Sequence, residues 1–234
     1  MTEHIGIVAC SAEGAALCYR TICAESAEIL GSHAHPEITM HTPSFAAYME
    51  HFDRDDWQGV GELMLASAHI LARAGADFLI CPDNTIHKSL PGIAARSPRP
   101  WLHIAEVVAA TATERGFRRL AITGTRWLVE SEVYPEKLAG RGIEWLRPNA
   151  EEREEIQRII MDELTYGIFK SEAVTAFRRI IARMKAEGCD AVVLGCTEIP
   201  LLINDANSPL PTLDSTRLLA RAALRRATQK AAVQ

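Results

Sequence analysis

Short apolar runs punctuate the chain at IGIVA (residues 5 to 9), EITMH (37 to 41), DFLIC (77 to 81), PWLHI (100 to 104), RLAIT (119 to 123), IEWL (143 to 146) and AVVLG (191 to 195). Each is bounded by turn-forming or charged residues, which predicts strands buried on both faces. The intervening stretches have helical period. Val60, Leu63, Met64, Ser67, Ile70, Leu71 and Ala74 fall on one face, as do Phe177, Ile180, Ile181 and Met184. Doubly apolar strands alternating with helices predict an α/β fold with parallel sheets covered by helices, because parallel neighbours need a crossover connection.

The pattern occurs twice. GADFLICPDNTIH at residues 75 to 87 and GCDAVVLGCTEIP at residues 188 to 200 align on Asp77 and Asp190, and HIGIVAC (4 to 10) resembles RLAITGT (119 to 125) at nearly the same offset. Two similar domains follow, residues 1–105 and 106–208. PTLDSTRLLARAALRRA then reads as a strand end, an Asp214 or Ser215 cap and a final helix that returns to the first half, so that 209–234 joins 1–105. No Pro- or Gly-rich linker separates the halves. They are expected to face each other about a pseudo-twofold axis, with the active site in the cleft between them.

Composition narrows the function. The chain has 234 residues, 48% hydrophobic and 24% charged, as expected of packed globular material. The net charge is −5 and its Lys and Arg are scattered, which argues against a nucleic-acid or anionic-membrane partner and for a small molecule. No apolar run approaches the roughly 20 residues of a membrane span, and the N-terminus lacks signal-peptide features, so a cytoplasmic protein is expected. The six cysteines form no CxxC pair and read as reduced thiols. His33 and His35, with His41 nearby, lack zinc-motif spacing, and no metal site is expected. Dinucleotide, P-loop and nucleophile-elbow motifs are missing from the sequence, which argues against the common cofactor enzymes and serine hydrolases.

In the duplicated segment Asp83 stands opposite Cys196, each beyond the carboxyl end of a strand, where ligands of parallel sheets gather. Asn84 and Thr85 follow the first, Thr197 the second. These side chains can donate to a carboxylate resting against a helix N-terminus, which predicts an anion pocket. If the halves are opposed, Asp83 and Cys196 approach one substrate from two sides, as needed to remove a proton from one face of a carbon and return one to the other. Cys81, two residues before Asp83, is an alternative thiol. His87 reads as a helix-capping or supporting residue that could also touch substrate, and Glu198 as a carboxylate that orients the thiol.

With these residues the chain resembles the aspartate/glutamate racemase superfamily, which also includes hydantoin racemases, maleate isomerases and arylmalonate decarboxylases. The similarity spans nearly the whole chain, through IGIVAC, NTIH (84 to 87), TGT (123 to 125), DELTYGIFK (162 to 170), GCTEIP (195 to 200) and DST (214 to 216). The resemblance implies catalysis without pyridoxal or any other cofactor, and homodimers or higher oligomers. It implies that Cys196 is the second catalytic cysteine and that Asn84, Thr85, Thr125 and Thr197 hold the substrate α-carboxylate. Lys170 matches a cation near a side-chain carboxylate, and two loops would bring Cys10, Ser11 and Ser44 to the pocket. Asp83 occupies the place of the family's first cysteine. TPSFAAYME carries no arginine to bind a distal carboxylate.

A free thiol titrates near about 8.5 and a free aspartate near about 3.9, so Asp83 is the weaker base of the pair. The leading expectation is a cofactor-independent racemase or epimerase of an amino acid or related small carboxylate, with Cys196 and Asp83 as opposed acid/base groups. The alternatives are a decarboxylase- or isomerase-type relative that uses Cys196 alone, and a catalytically weak carboxylate-binding homologue.

Overall fold

The computed structural model describes residues 2–229. The apolar runs become strands β1 (Ile5–Val8), β2 (Ile38–His41), β3 (Phe78–Ile80), β4 (Trp101–Leu102), β5 (Arg119–Thr123), β6 (Glu144–Leu146), β7 (Ala191–Leu194) and β8 (Thr212–Asp214). Between them lie helices α1 (Ala12–Leu30), α2 (Phe45–Phe52), α3 (Trp57–Arg73), α4 (Leu90–Ile93), α5 (Ile104–Glu114), α6 (Arg126–Val129), α7 (Pro135–Ala139), α8 (Ala150–Asp162), α9 (Ser171–Ala186) and α10 (Ser215–Gln229). The strands form two four-stranded sheets, β2-β1-β3-β4 and β6-β5-β7-β8, in which every pairing is parallel. β1, β3 and β7 are buried along their whole length, which is why their sequences read as continuous apolar runs.

The duplicated sequence is a duplicated backbone device. Gly75 and Gly188 take positive φ (99° and 96°) at the ends of α3 and α9, a conformation that stops a helix at little cost only in glycine. Two residues later an aspartate ties the next strand to its neighbour. The Asp77 N–H donates to the His4 carbonyl (2.9 Å), and the Asp77 carboxylate accepts the His4 N–H (2.8 Å). In the second copy the Asp190 N–H donates to the Arg119 carbonyl (2.9 Å), and its carboxylate accepts the N–H groups of Arg118 (2.7 Å) and Arg119 (3.2 Å).

The chain divides into two compact units, Val108–Ser215 and the remainder. The segment 209–215, expected in the first domain, belongs to the second because β8 pairs with β7, with Thr212 beside Val192 and Asp214 beside Leu194. The expected first domain also includes residues 230–234, which lie outside the described residues. In the first unit, α10 closes the core, setting Leu219, Ala220, Ala223 and Leu224 against Ile5, Ile7, Phe78 and Ile80. In the second, Ile156, Ile159 and Ile160 of α8 pack with Phe177, Ile180 and Ile181 of α9 over Ala121 and Val192.

One expectation needs correcting. The buried face of α3 runs through Val60, Gly61, Met64, Leu65, Ser67, Ala68 and Leu71, while Ile70 and Ala74 are exposed. Small residues take the centre of that face because the neighbours are close: a Cβ on Gly61 would lie 2.9 Å from Ile93 Cγ2. The acidic start of α8 is tied into the fold. Glu152 completes a capping box with Asn149 and is buried against Arg183, Nη2 to Oε2 2.6 Å. Burial pushes the Glu152 carboxyl up, but Arg183 and the Asn149 N–H outweigh it and hold the group below its ordinary range.

Candidate active site

In the first unit the chain leaves β3 through Cys81-Pro82-Asp83 and turns into a 3-10 segment, Thr85–Ser89. Asp83 is half-buried, and its Oδ1 accepts the Ile86 N–H at 3.2 Å. The Cys81 thiol donates to the Asp83 carbonyl (3.6 Å), and His87 Nε2 lies 3.0 Å from the Cys81 carbonyl. Asn84, Thr85 and His87 are all buried, and the ring of His103 meets that of His87 edge-on at 4.6 Å between centroids. Burial, reinforced by the neighbouring Asp83 charge, pushes the Cys81 thiol well above its ordinary value. A fully enclosed thiol held in that state is a poor substitute for a reactive thiolate.

Tyr48, a residue that sequence reasoning missed, is fully buried in this unit. Burial raises its phenol far above the ordinary value, and the nearby acidic groups of Cys10, Cys81 and Asp83 add to the effect. The phenol therefore stays neutral beside them. The available signal was the pairing of Tyr48 with Phe52 one helical turn later, both on the buried face of α2. Ser11 caps α1, accepting the Gly14 N–H (3.4 Å), with Cys10 buried just before it. Ser44 stands exposed at the start of α2.

In the second unit β7 leads to Gly195-Cys196-Thr197-Glu198. The Gly195 N–H donates to the Thr123 carbonyl (2.9 Å), and a Cβ on Gly195 would lie 2.5 Å from that same oxygen. Only glycine lets the two strand ends approach this closely. The Cys196 thiol, half-buried, donates to Glu198 Oε2 at 2.9 Å, and the Thr197 hydroxyl donates to the same oxygen at 2.7 Å. Glu198 itself is buried. Thr125 caps α6, its hydroxyl accepting the Leu128 N–H (3.3 Å), and the Ser215 hydroxyl donates to the Leu194 carbonyl (2.8 Å).

Each loop thus gathers its neighbours from the residues expected beside it: Asp83 with Asn84, Thr85 and His87, and Cys196 with Thr197. Lys170 has a carboxylate partner of its own within the second unit. It is exposed and pairs with Glu163 at 3.4 Å, which Arg158 also holds at 2.9 Å. Beside Asp83 the expected helix start is present: Thr85–Ser89 continues without a break into α4 and on through Arg96. Beyond Cys196 there is only the 3-10 segment Ile199–Leu201, too short to build a macrodipole, so anion donors there must be side chains and single N–H groups. Among the described residues no three of His, Cys, Asp or Glu converge to hold a metal, and no helix is long and apolar enough to cross a membrane.

The sequence model of the Asp/Glu/Hydantoin racemase family matches residues 6–223. The chain belongs to that family. Membership is equally plain from a solved Yersinia pestis structure assigned as an Asp/Glu racemase, 32% identical over 97% of this chain and 100% of that one, with a TM-score of 0.89. An aspartate racemase homologue from Pyrococcus horikoshii is 28% identical over 98% and 100% of the two chains, with a TM-score of 0.83. The broad specificity amino-acid racemase RacX of Bacillus subtilis is 24% identical over 153 residues, 64% of this family member and 65% of RacX. The match therefore spans just under two thirds of that relative's length. The two four-stranded parallel sheets of this family member are those of the Asp/Glu racemase structures.

Proposed function

We propose that the protein is a cofactor-independent amino acid racemase in which Cys196 and Asp83 work on opposite faces of the substrate's α-carbon. The observation that supports this most directly is equivalence of position. The same glycine stop, aspartate tie and buried strand lead to Asp83 in one unit and to Cys196 in the other.

The Cys196 thiol passes its proton to Glu198, which already accepts it in a hydrogen bond. The thiolate takes the α-proton from one face of the substrate, and the electron pair spreads into the carboxylate as an enediolate. Asn84, Thr85, Thr125 and Thr197 are the donors proposed to stabilise that charge, and loss of a single such donor typically costs about 10²–10³ in rate. Protonated Asp83 delivers its proton to the other face. The substrate leaves inverted, with Cys196 carrying the abstracted proton, Glu198 still protonated and Asp83 ionised; Glu198 then releases its proton to solvent and Asp83 takes one up, which restores the starting state. Because Asp83 is the weaker base, the two directions differ in rate at a given pH, while the enantiomer equilibrium stays at unity.

Heavy-water exchange at the α-carbon, screened over free amino acids and small dicarboxylates, tests this. Wild type should incorporate deuterium into at least one substrate, and Cys196→Ala should abolish incorporation. Unchanged exchange in the variant removes Cys196 from the chemistry. The presence of a thiol on one side alone favours a second reading, in which Cys196 protonates an enediolate formed by decarboxylation. Release of carbon dioxide from a substituted malonate would select it.

A further inference from the structure

The loop that carries Asp83 is held from three directions. His87 Nε2 meets the Cys81 carbonyl at 3.0 Å, the Cys81 thiol meets the Asp83 carbonyl, and the Ile86 N–H meets the Asp83 carboxylate. We propose that buried His87 is a positioning residue, the clamp that aims the Asp83 carboxylate by fixing the backbone of Cys81 through a hydrogen bond from Nε2. This rests on the acid/base role proposed for Asp83.

A carbonyl only accepts, so Nε2 of His87 must carry the hydrogen. His103 turns its own Nδ1 to the Ala105 N–H at 3.2 Å, which fixes that ring as Nε2-protonated when neutral. The two imidazoles pack edge to face, and His87 is only 1% exposed, a setting that suits a fixed ring rather than one that swings toward a ligand. The second copy of the loop has no such clamp. Its equivalent of His87 is Pro200, and the loop there is tied through Gly195 and Ser215. The difference follows the chemistry. A thiolate is one large polarisable atom that tolerates some misplacement. A carboxylate that turns toward water becomes fully hydrated and loses what basicity it had.

Two variants and two readouts test the clamp. His87→Leu removes the donor, whereas His87→Gln returns an N–H at nearly the reach of Nε2. In His87→Leu, deuterium exchange of the enantiomer deprotonated by Asp83, and net inversion of both enantiomers, should fall about 10- to 100-fold in kcat with KM little changed, the penalty of roughly 1 Å of misplacement. Exchange with retention of the enantiomer deprotonated by Cys196 should persist, and His87→Gln should recover most of the loss. Equal loss for both enantiomers, or no recovery in His87→Gln, overturns the proposal. The second readout needs no activity. Histidine-labelled wild type should show His87 as the Nε2–H tautomer at neutral pH, and His87→Leu should move the Asp83 carboxyl carbon signal and its titration. An Nδ1–H tautomer, or an Asp83 signal unchanged in His87→Leu, overturns the clamp. Absence of exchange by wild type on every substrate would instead count against racemisation, and the Asp83 signal would still decide the clamp.

Discussion

Replacing Gly195 by alanine should unseat the loop that carries Cys196. The added Cβ would sit 2.5 Å from the Thr123 carbonyl oxygen and 2.6 Å from Leu128 Cδ2, where ordinary contact begins at 3.4 Å. Leu128 can rotate away. The carbonyl cannot, because it accepts the Gly195 N–H at 2.9 Å and belongs to β5, which pairs with both β6 and β7. Relief therefore has to come from moving residues 195–196. The overpacking cost should lie at the upper end of the usual range, about 2–3 kcal/mol. At about 2–4 °C per kcal/mol for a chain of this size, Tm should drop by about 4–12 °C in scanning calorimetry. Displacing Cys196 by about 1 Å should also cost roughly 100-fold in α-proton exchange. Gly92→Ala is the control, since nothing lies within 4 Å of its Cβ and it sits in α4; its stability should change by no more than about 1 kcal/mol. A Gly195→Ala protein with wild-type Tm and exchange would refute the claim that the close strand approach requires glycine and sets the thiol.

Two further outcomes follow from the ties at the strand starts and from the ion pairs. Asp190→Ala frees the Arg118 and Arg119 N–H groups and should lower stability by about 1–3 kcal/mol in urea unfolding, while exchange per folded molecule stays at wild type. A loss of exchange greater than the loss of folded protein would contradict the separation of roles. Arg158 holds the Glu163 carboxyl below its ordinary 4.5 despite its burial, with Lys170 adding to the effect. A depressed carboxyl stabilises the fold above the ordinary range, and that contribution disappears as pH falls through the lowered value. Melting temperature should therefore fall as pH drops below the ordinary 4.5, and Arg158→Gln, with less to lose, should show a shallower fall; parallel curves would refute the assignment.

The strands were legible because central strands of a parallel sheet face helices on both sides and must be apolar throughout, so β1, β3, β5 and β7 announce themselves. The repeat was legible through Asp77 and Asp190, although their role as backbone ties was not, since it depends on partners 73 and 72 residues away. The α3 face was misread for a physical reason. Hydrophobicity favours Ile70 over Gly61, whereas close packing favours the smaller residue. The presumption of a helix start held beside Asp83, where the run begins at Thr85, and failed beyond Cys196, where hydroxyl side chains open only a three-residue 3-10 segment with Pro200 inside it. Tyr48 was hidden in a stretch taken as a loop, and the contact of Cys196 with Glu198 depends on how the chain turns over two residues, which composition does not encode.

In both copies the aspartate that bolts a strand in place precedes it, and the group proposed to react follows it. Cohesion and reactivity are thus assigned to opposite termini of the same strand. Asp83 and Cys196 differ in chemistry, yet the fastenings at Asp77 and Asp190 are alike. A protein built this way can vary its chemistry at one terminus without loosening the other, which gives its reactive groups room to diverge within an unchanged scaffold.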